Sequence, residues 1–116
     1  MPGKVSWPYG PAEILYGKDA AKGTVLAILQ DKLKDTLFHI GNGETLSGED
    51  ILNAIKKKFP SSRIDLEKSS NPMPYPESRI SSNFSRARDQ LGYEPDYPIE
   101  KAVEDYSVTL KKLENL

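Results

Sequence analysis

Apolar residues recur every three or four positions along several parts of the chain, which is typical of amphipathic helices. The longest such pattern predicts a C-terminal helix that opens at Pro98, a residue suited to a first helical turn. Its apolar face consists of Ile99, Ala102, Val103, Tyr106, Leu110 and Leu113. Three carboxylates, Glu100, Glu104 and Asp105, are predicted to lie on the opposite, solvated face.

An earlier helix is predicted to begin at Asp19, whose carboxylate can accept a backbone N–H bond as the N-cap. Its apolar face is formed by Ala21, Val25, Ile28, Leu29 and Leu33. Gly23 lies inside this helix, where glycine costs about 1 kcal/mol relative to alanine. We therefore expect another backbone to pass close to Gly23.

Two further helices carry recognisable start and stop signals. Ser47 and Asp50 have the spacing of a capping box, and Pro60 is expected to end the helix that follows. The apolar face of that helix is Ile51, Leu52, Ile55 and Phe59. A brief helix is predicted from Ser85 as its cap to Gly92 as its terminator.

Strand patterns are short. Strands are predicted at residues 14–16, 36–40 and 80–84, and Ile64 and Leu66 alternate with charged residues as in a half-exposed edge strand. Together the patterns predict an α/β domain of α+β character, with short strands and about four helices.

The length of 116 residues allows one domain. Residues 1–13 hold three prolines and two glycines and are predicted to be irregular. Residues 14–116 are predicted to form the domain itself. The proline-rich stretch SSNPMPYPES at residues 69–78 is predicted to be an extended loop inside that domain, because periodic structure resumes directly after it.

Charge and composition narrow the function. With 16 basic and 17 acidic residues the net charge is −1, which provides no field to attract nucleic acid or a membrane surface. No cysteine is present, so disulfides and thiolate chemistry are excluded. The longest apolar run, residues 25–29, is far shorter than a membrane span, and no leader pattern opens the chain. We expect a cytoplasmic protein.

The turn Gly41-Asn42-Gly43 stands between a predicted strand and a predicted helix, which is the position of a dinucleotide-binding loop. The third glycine is replaced by Leu46, and Glu44 would place a negative charge beside the pyrophosphate. A plain tight turn is therefore the favoured interpretation.

Other candidates for chemistry are few. His39 is the only histidine and is interpreted as structural, because a single histidine without cysteine cannot form the usual zinc site. The basic run at residues 56–58 is interpreted as a solvated helix end rather than a phosphate site. No GxSxG motif is present. Tyr75 and Arg79, in and beside the proline-rich loop, are the candidate contacts to an anionic ligand.

Three stretches together resemble one family. They are ILYGKDAAKG, FHIGNGETLSGEDILNAI and FSRARDQLGYEPDYPIEKAVEDY. In this order they are similar to the C-terminal part of the extended short-chain dehydrogenases/reductases, which include NAD-dependent sugar-nucleotide epimerases and dehydratases. Asp19 matches an aspartate of the family's helix start. The family's Tyr-Gly-Pro motif lies much farther upstream than Tyr9-Gly10-Pro11, which is interpreted as a chance match.

The resemblance implies an enzyme that uses NAD(P), with a tyrosine that removes a hydroxyl proton beside a lysine. The family's GxxGxxG motif is absent from this sequence, and its one YxxxK spacing, from Tyr97 to Lys101, lies in the stretch that resembles the family's C-terminal signature rather than in an N-terminal Rossmann domain. We therefore expect no catalytic residue and no cofactor site in this chain, which would lack most of the Rossmann domain. A phosphate-facing arginine of the family falls on Ala12 or Glu13, and an aspartate falls on Asn83.

Three functional interpretations follow. The chain is the substrate-binding C-terminal portion of such an enzyme, a free-standing binding or interaction module, or a structural subunit that completes a separate Rossmann partner. Saturable binding of a nucleotide sugar by the isolated chain is expected of the binding module, and activity only after mixing with the partner is expected of the structural subunit. Because helices of this region pack partly on the Rossmann half in the family, we expect uncovered apolar surface and self-association, by exchange of the last helix.

Overall fold

The computed structural model describes residues 3–7, 12–68 and 81–115. The elements in these ranges are β1 (Gly3–Trp7), α1 (Gly17–Ile28), α2 (Gly48–Lys58), β2 (Ile64–Lys68), α3 (Ser85–Leu91) and α4 (Ile99–Glu114). Four helices combined with short strands give the α/β composition that the sequence predicted.

The two strands form a parallel pair in which Gly3 is opposite Ile64 and Trp7 is opposite Lys68. The predicted edge strand is confirmed, because Ile64 and Leu66 are half-buried and the charged residues between and after them are exposed. β1 lies in the segment that was predicted to be irregular. Its strand conformation depends on a backbone partner about sixty residues away, which local composition does not reveal.

Within the described residues, the other predicted strands are wrong: 14–16, 36–40 and 81–84 are extended or irregular segments without a ladder. Two of their carbonyl groups accept hydrogen bonds from side chains instead. The amide of Asn42 donates to the carbonyl of Ile14, and the Arg86 guanidinium donates to that of Leu37 at 3.1 Å. Such bonds satisfy the backbone without a second strand.

The start of α2 agrees with the sequence. The Ser47 hydroxyl accepts the N–H of Asp50 at 3.1 Å, and the Asp50 carboxylate accepts the N–H of Ser47 at 2.9 Å. The helix ends at Lys58, just before Pro60. α3 ends as predicted at Gly92, whose φ of 69° is a left-handed conformation that favours glycine.

The predicted cap of α1 is wrong. The N-cap residue is Tyr16, whereas Asp19 is in the first turn and is almost completely buried. Its carboxylate accepts the backbone N–H groups of Asp96 and Tyr97 at 2.8 and 3.1 Å. The sequence shows that a carboxylate can accept N–H bonds, but it does not show which segment donates them.

Ser85 is not the cap of α3 either, because Phe84 occupies that position. Asn83, which falls where the resembled family has an aspartate, accepts the N–H of Ser85 through its side-chain oxygen at 2.9 Å. Pro98 is the N-cap of α4, one position before its first turn.

The core lies between α1 and α3. Ala87, Leu91 and Tyr93 are buried, and five half-buried apolar residues pack around them: Leu26, Ala27, Phe38, Ile40 and Phe84. Gly23 is buried against Ile40, since a β-carbon on Gly23 would lie 2.7–2.9 Å from the Ile40 side chain. The close neighbour of Gly23 is therefore a side chain, not the backbone that was expected.

The predicted apolar face of α1 is on the outside of the helix. Val25, Ile28 and Leu29 are 52%, 74% and 72% exposed, and Leu33 is also exposed. α1 buries Gly23, Leu26 and Ala27 instead. Both faces carry apolar residues, so helical periodicity alone could not select the inner one.

The apolar face of α4 is covered only in its first half, where α4 packs against α2. Ala102 is buried, and Ile99 and Val103 are half-buried. Tyr106, Leu110 and Leu113, farther along the same face, are 56%, 41% and 59% exposed.

Candidate functional site

An apolar groove of about 560 Å³ lies between α2 and α4, a volume in the range of ligand pockets. α2 contributes Ile51 and Ile55, and α4 contributes Ile99, Ala102 and Val103. These residues belong to the faces that the helical patterns predicted. The two helices thus expose part of their apolar faces to a shared opening instead of closing it.

Polar side chains also line this groove. They are the tyrosines Tyr16, Tyr97 and Tyr106, together with Asn42 and Glu44 from the turn before α2. The Tyr16 hydroxyl and the Asn42 amide already bond to Asp105 and Ile14. The Tyr97 and Tyr106 hydroxyls can hydrogen-bond a polar ligand, and the apolar lining can contact its rings. The groove is therefore suited to a ligand that combines apolar faces with hydroxyl groups.

A cluster of aromatic and charged residues, here called the tyrosine cluster, borders the groove. The Tyr16 hydroxyl donates to Asp105 at 2.6 Å, and the ring of Tyr16 lies 4.9 Å from that of Tyr97. Lys18 forms a 2.8 Å ion pair with Asp105. Lys101 lies 5.0 Å from the Tyr97 ring centroid, within the range of a cation–π contact.

The electrostatics of the tyrosine cluster follow from the Asp105 carboxylate. Its hydrogen bond and negative charge raise the pKa of Tyr16 to about 12. The hydrogen bond from Lys18, followed by that from Tyr16, lowers the pKa of Asp105. The hydrogen bond between Lys18 and Asp105 also raises the pKa of Lys18. The prediction of a solvated face is wrong for Asp105, which is half-buried, because it ignored the segment leading into α1.

A second network forms around Glu13. One carboxylate oxygen accepts the Ser82 backbone N–H at 2.6 Å, and the other accepts the Ser82 hydroxyl at 2.6 Å. The second oxygen also accepts the N–H of Asn42 at 3.3 Å. The single arginine of the resembled family falls on either Ala12 or Glu13 of this chain. The Glu13 carboxylate bonds to other parts of this chain and provides no cation for a phosphate.

The turn at Gly41 does not fit a dinucleotide. The N–H groups of Asn42 and Glu44 already donate to Glu13 and to the Asn42 side chain. A β-carbon on Gly41 would collide with the Glu13 carboxylate and the Ser82 hydroxyl. The space beside this glycine is therefore occupied by the protein, whereas a phosphate loop leaves it for the ligand.

The start of α2 also lacks the properties of an anion site. Its capping box satisfies the N–H of Asp50, and Glu49 and Asp50 place two negative charges in the first turn. Both features oppose binding of a phosphate at this helix N-terminus.

The remaining candidates are separate from the groove. His39 is exposed, and the lysines of residues 56–58 are exposed at the end of α2, where Lys58 pairs with Glu104 at 3.1 Å. Tyr75 and Arg79, and the proline-rich loop 69–78, lie outside the described residues. Among the described residues, no group of three or more His, Asp and Glu side chains could hold a metal ion.

Sequence reasoning missed Glu13 and the tertiary roles of Asp19 and Asp105. Each of these carboxylates bonds to a partner 69–89 residues away. No local spacing indicates such pairs. The available signal was the resemblance, which marked Asp19 and the region of Glu13 without stating what they contact.

The three stretches that carry the resemblance converge in the structure. Asp19 of the first stretch accepts N–H bonds from Asp96 and Tyr97 of the third. Tyr93 of the third donates to the carbonyl of Gly41 in the second at 2.8 Å. These long-range bonds connect the stretches into one unit.

No protein-family model matches the sequence, and no curated protein matches it. Solved structures do match. The UDP-glucuronic acid 4-epimerase of Bacillus cereus, in complex with UDP-glucuronic acid and NAD, superposes with a TM-score of 0.77 at 22% identity. The match covers 97% of this chain and 36% of the epimerase.

Two further structures give the same result. The UDP-N-acetylglucosamine 4-epimerase of Bacillus cereus has a TM-score of 0.71 and 26% identity, covering 93% of this chain and 38% of the other. The L-threonine dehydrogenase of Phytophthora infestans has a TM-score of 0.70 and 23% identity, and the match covers 94% of this chain and 37% of the dehydrogenase. The likeness to the extended short-chain dehydrogenase/reductase fold is confirmed, and this chain spans about a third of the proteins it matches. None of the described helices is long and apolar enough to cross a membrane.

Proposed function

We propose that this chain is the C-terminal, substrate-side portion of an NAD-dependent sugar-nucleotide epimerase or dehydratase. The observation that carries the proposal is the superposition of nearly the whole chain on about a third of an epimerase structure that contains UDP-glucuronic acid and NAD. Residues 14–116 act as one domain in this proposal. In the complete enzyme, NAD would accept and return a hydride at a sugar carbon.

The contribution of this chain is binding rather than redox chemistry. The Gly41 turn and the α2 N-terminus do not fit a dinucleotide. In this proposal the nicotinamide cofactor therefore binds to another part of the complete enzyme. The groove provides apolar contact for a ring and the phenol groups of Tyr97 and Tyr106 for hydroxyls. Tyr75 and Arg79 remain the proposed contacts to the anionic part of the ligand.

A calorimetric titration of the isolated chain with UDP-glucuronic acid tests the binding role. We expect saturable binding to the wild-type chain. The groove variant Val103→Arg should weaken this binding at least tenfold, because the long arginine side chain would fill the groove. Val108→Arg is the matched control, since Val108 is on the same helix and is 47% exposed.

Three outcomes contradict the proposal. Equal affinities in both variants would remove the groove from the binding site, and absence of binding to the wild-type chain would remove the substrate role. Interconversion of a nucleotide sugar by the purified chain with NAD alone would show that the redox centre is present after all. UDP without the sugar serves as the reference ligand.

A second candidate is a free-standing binding module without chemistry. The observation that favours it is the apolar groove between α2 and α4, whose volume of about 560 Å³ is in the range of ligand pockets. The two candidates differ when a nicotinamide-binding partner is added. A module binds its ligand equally well with or without the partner, whereas a substrate portion gains activity only with it. A structural subunit would restore activity on mixing without binding a nucleotide sugar by itself.

A further inference from the structure

The segment between α3 and α4, residues 94–98, forms one wall of the groove. Pro95, Tyr97 and Pro98 of this segment are among the lining residues. The segment belongs to no helix or strand, and its two prolines have no N–H to donate to a backbone ladder. Side chains of other elements must therefore satisfy its backbone groups and fix its position.

Two side chains of α1 bond to this segment. The Asp19 carboxylate accepts the N–H groups of Asp96 and Tyr97 at 2.8 and 3.1 Å. The Lys22 ammonium donates to the carbonyl of Glu94 and to the Asp96 carboxylate, both at 2.8 Å. Residues three apart on a helix lie on the same face. One face of α1 therefore holds both N–H and carbonyl groups of the segment.

The base of this arrangement is firmly packed. Asp19 is 1% exposed, and Leu26 and Ala27 attach the following turns of α1 to the core. Neither Asp19 nor Lys22 is among the described residues that line the groove. An effect of these two side chains on a ligand in the groove must therefore pass through the segment 94–98.

Tyr97 is the residue through which α1 reaches the groove. Its N–H bonds to Asp19, and its ring lies 4.9 Å from the ring of Tyr16 and 5.0 Å from the Lys101 ammonium. A backbone shift at this position would move both the ring and the hydroxyl in the groove wall. A binding group is effective only when it is held within about 0.5 Å of its productive position.

We propose that Asp19 and Lys22 are positioning residues of the groove, which hold the segment 94–98 and thereby place Tyr97 against the ligand. This inference rests on the proposed function, because it takes the groove as the ligand site. It adds that α1, a helix whose Asp19 and Lys22 do not line the groove, determines how well the groove binds.

Amide hydrogen exchange, measured by NMR on the chain without ligand, tests whether α1 holds the segment. Lys22→Met keeps the aliphatic stem and removes the ammonium. We expect the N–H groups of Asp96 and Tyr97 to exchange at least tenfold faster in this variant. The N–H of Phe59, at the end of α2, reports on the rest of the fold and should keep its rate.

Titration with UDP-glucuronic acid tests the effect on the groove. We expect Lys22→Met to weaken binding at least fivefold and Lys22→Arg to stay within twofold of the wild type, because a guanidinium can donate to the same two acceptors. The matched control is Arg88→Met, which removes one cation that pairs with its neighbour Asp89 within α3. This control has the same change in charge and should bind like the wild type.

Urea denaturation separates positioning from a general loss of stability. Lys22→Met should unfold at nearly the wild-type urea concentration, because a partly exposed ion pair contributes little to the free energy of unfolding. Asp19→Asn exchanges one acceptor oxygen for an NH₂ group that faces an N–H donor. It should accelerate exchange and weaken binding more than Lys22→Met does, and if it does not fold, Lys22→Met alone decides.

Two results would overturn the positioning role. One is unchanged exchange of the Asp96 and Tyr97 N–H groups in Lys22→Met. The other is faster exchange with unchanged affinity, which would mean that the segment moves without consequence for the groove. The proposed function fails instead on the titration of the wild-type chain, so the two failures are distinguishable.

Discussion

The α1–α3 side of the molecule is closed, whereas the α2–α4 side is open. Between α1 and α3, Ala87 and Tyr93 have no exposed surface, and Leu91 has almost none. Between α2 and α4, apolar residues of the same kinds surround a groove of about 560 Å³. Similar helical patterns in the sequence thus lead to a filled core in one place and to a cavity in the other.

This difference separates stability from function. A filled core contributes to the free energy of unfolding through each buried side chain. A groove leaves part of its apolar surface in water. This exposure costs free energy until another molecule covers the surface. The closed side holds the three stretches together, and the open side remains for a ligand.

The largest loss of stability is expected from a substitution in the closed α1–α3 side. Tyr93→Ala removes a fully buried ring and its bond to the Gly41 carbonyl, so we expect a loss of about 3–5 kcal/mol in the free energy of unfolding. Tyr97→Ala, on the open side, should lower the free energy of unfolding by only about 1 kcal/mol, because the Tyr97 side chain is only half-buried. Urea denaturation of both variants measures the difference, and similar losses would show that the two sides are not distinct.

A smaller effect is expected from the carboxylate that connects the two sides. Asp19→Ala leaves the N–H groups of Asp96 and Tyr97 without an acceptor, at a cost of about 1.5–3 kcal/mol. Asp105→Ala should be milder, because its partner Lys18 stays in contact with solvent. The same denaturation experiment ranks the two variants, and a larger loss for Asp105→Ala would reverse our account.

The smallest effect concerns titration. The pKa of Tyr93 is raised to about 12 mainly by burial, and that of Tyr16 is raised to about 12 mainly by the hydrogen bond to Asp105. Because the folded-state values lie above 10, the stability they provide is complete below pH 10 and is lost as the pH rises toward 12. Asp105→Asn should return the pKa of Tyr16 toward 10 without changing Tyr93.

The two pKa values are measured from the tyrosinate absorbance during an alkaline titration. The variants Tyr16→Phe and Tyr93→Phe show which transition belongs to which tyrosine. If Asp105→Asn left both tyrosines unchanged, the hydrogen bond would not be the cause of the Tyr16 shift.

The sequence was most informative where a feature depends on its near neighbours. The Ser47–Asp50 capping box, the end of α3 at Gly92 and the alternation around Ile64 all involve residues close together in the chain, and each is confirmed. Such features require only local geometry. The same holds for the existence of four helices.

Features that depend on distant segments were not predictable in this way. The strand at Gly3–Trp7 needs β2, and the burial of Gly23 needs Ile40. For α1, periodicity identified an apolar face correctly but could not show that the helix has a second one. The groove was equally inaccessible, because a pattern of buried positions does not state whether two facing helices close on each other.

The bonds from Glu13, Tyr16 and Asp19 to the C-terminal third of the chain also determine when the domain can form. Their partners lie 69–89 residues later, so the ribosome must release the chain as far as Ser82 before the first of these bonds can close. Contacts of such long sequence separation slow folding, because the loop between them must be ordered first. During synthesis α1 would therefore remain without its core partner α3, and a C-terminal deletion that removes both α3 and α4 should yield a nascent chain recognised by chaperones.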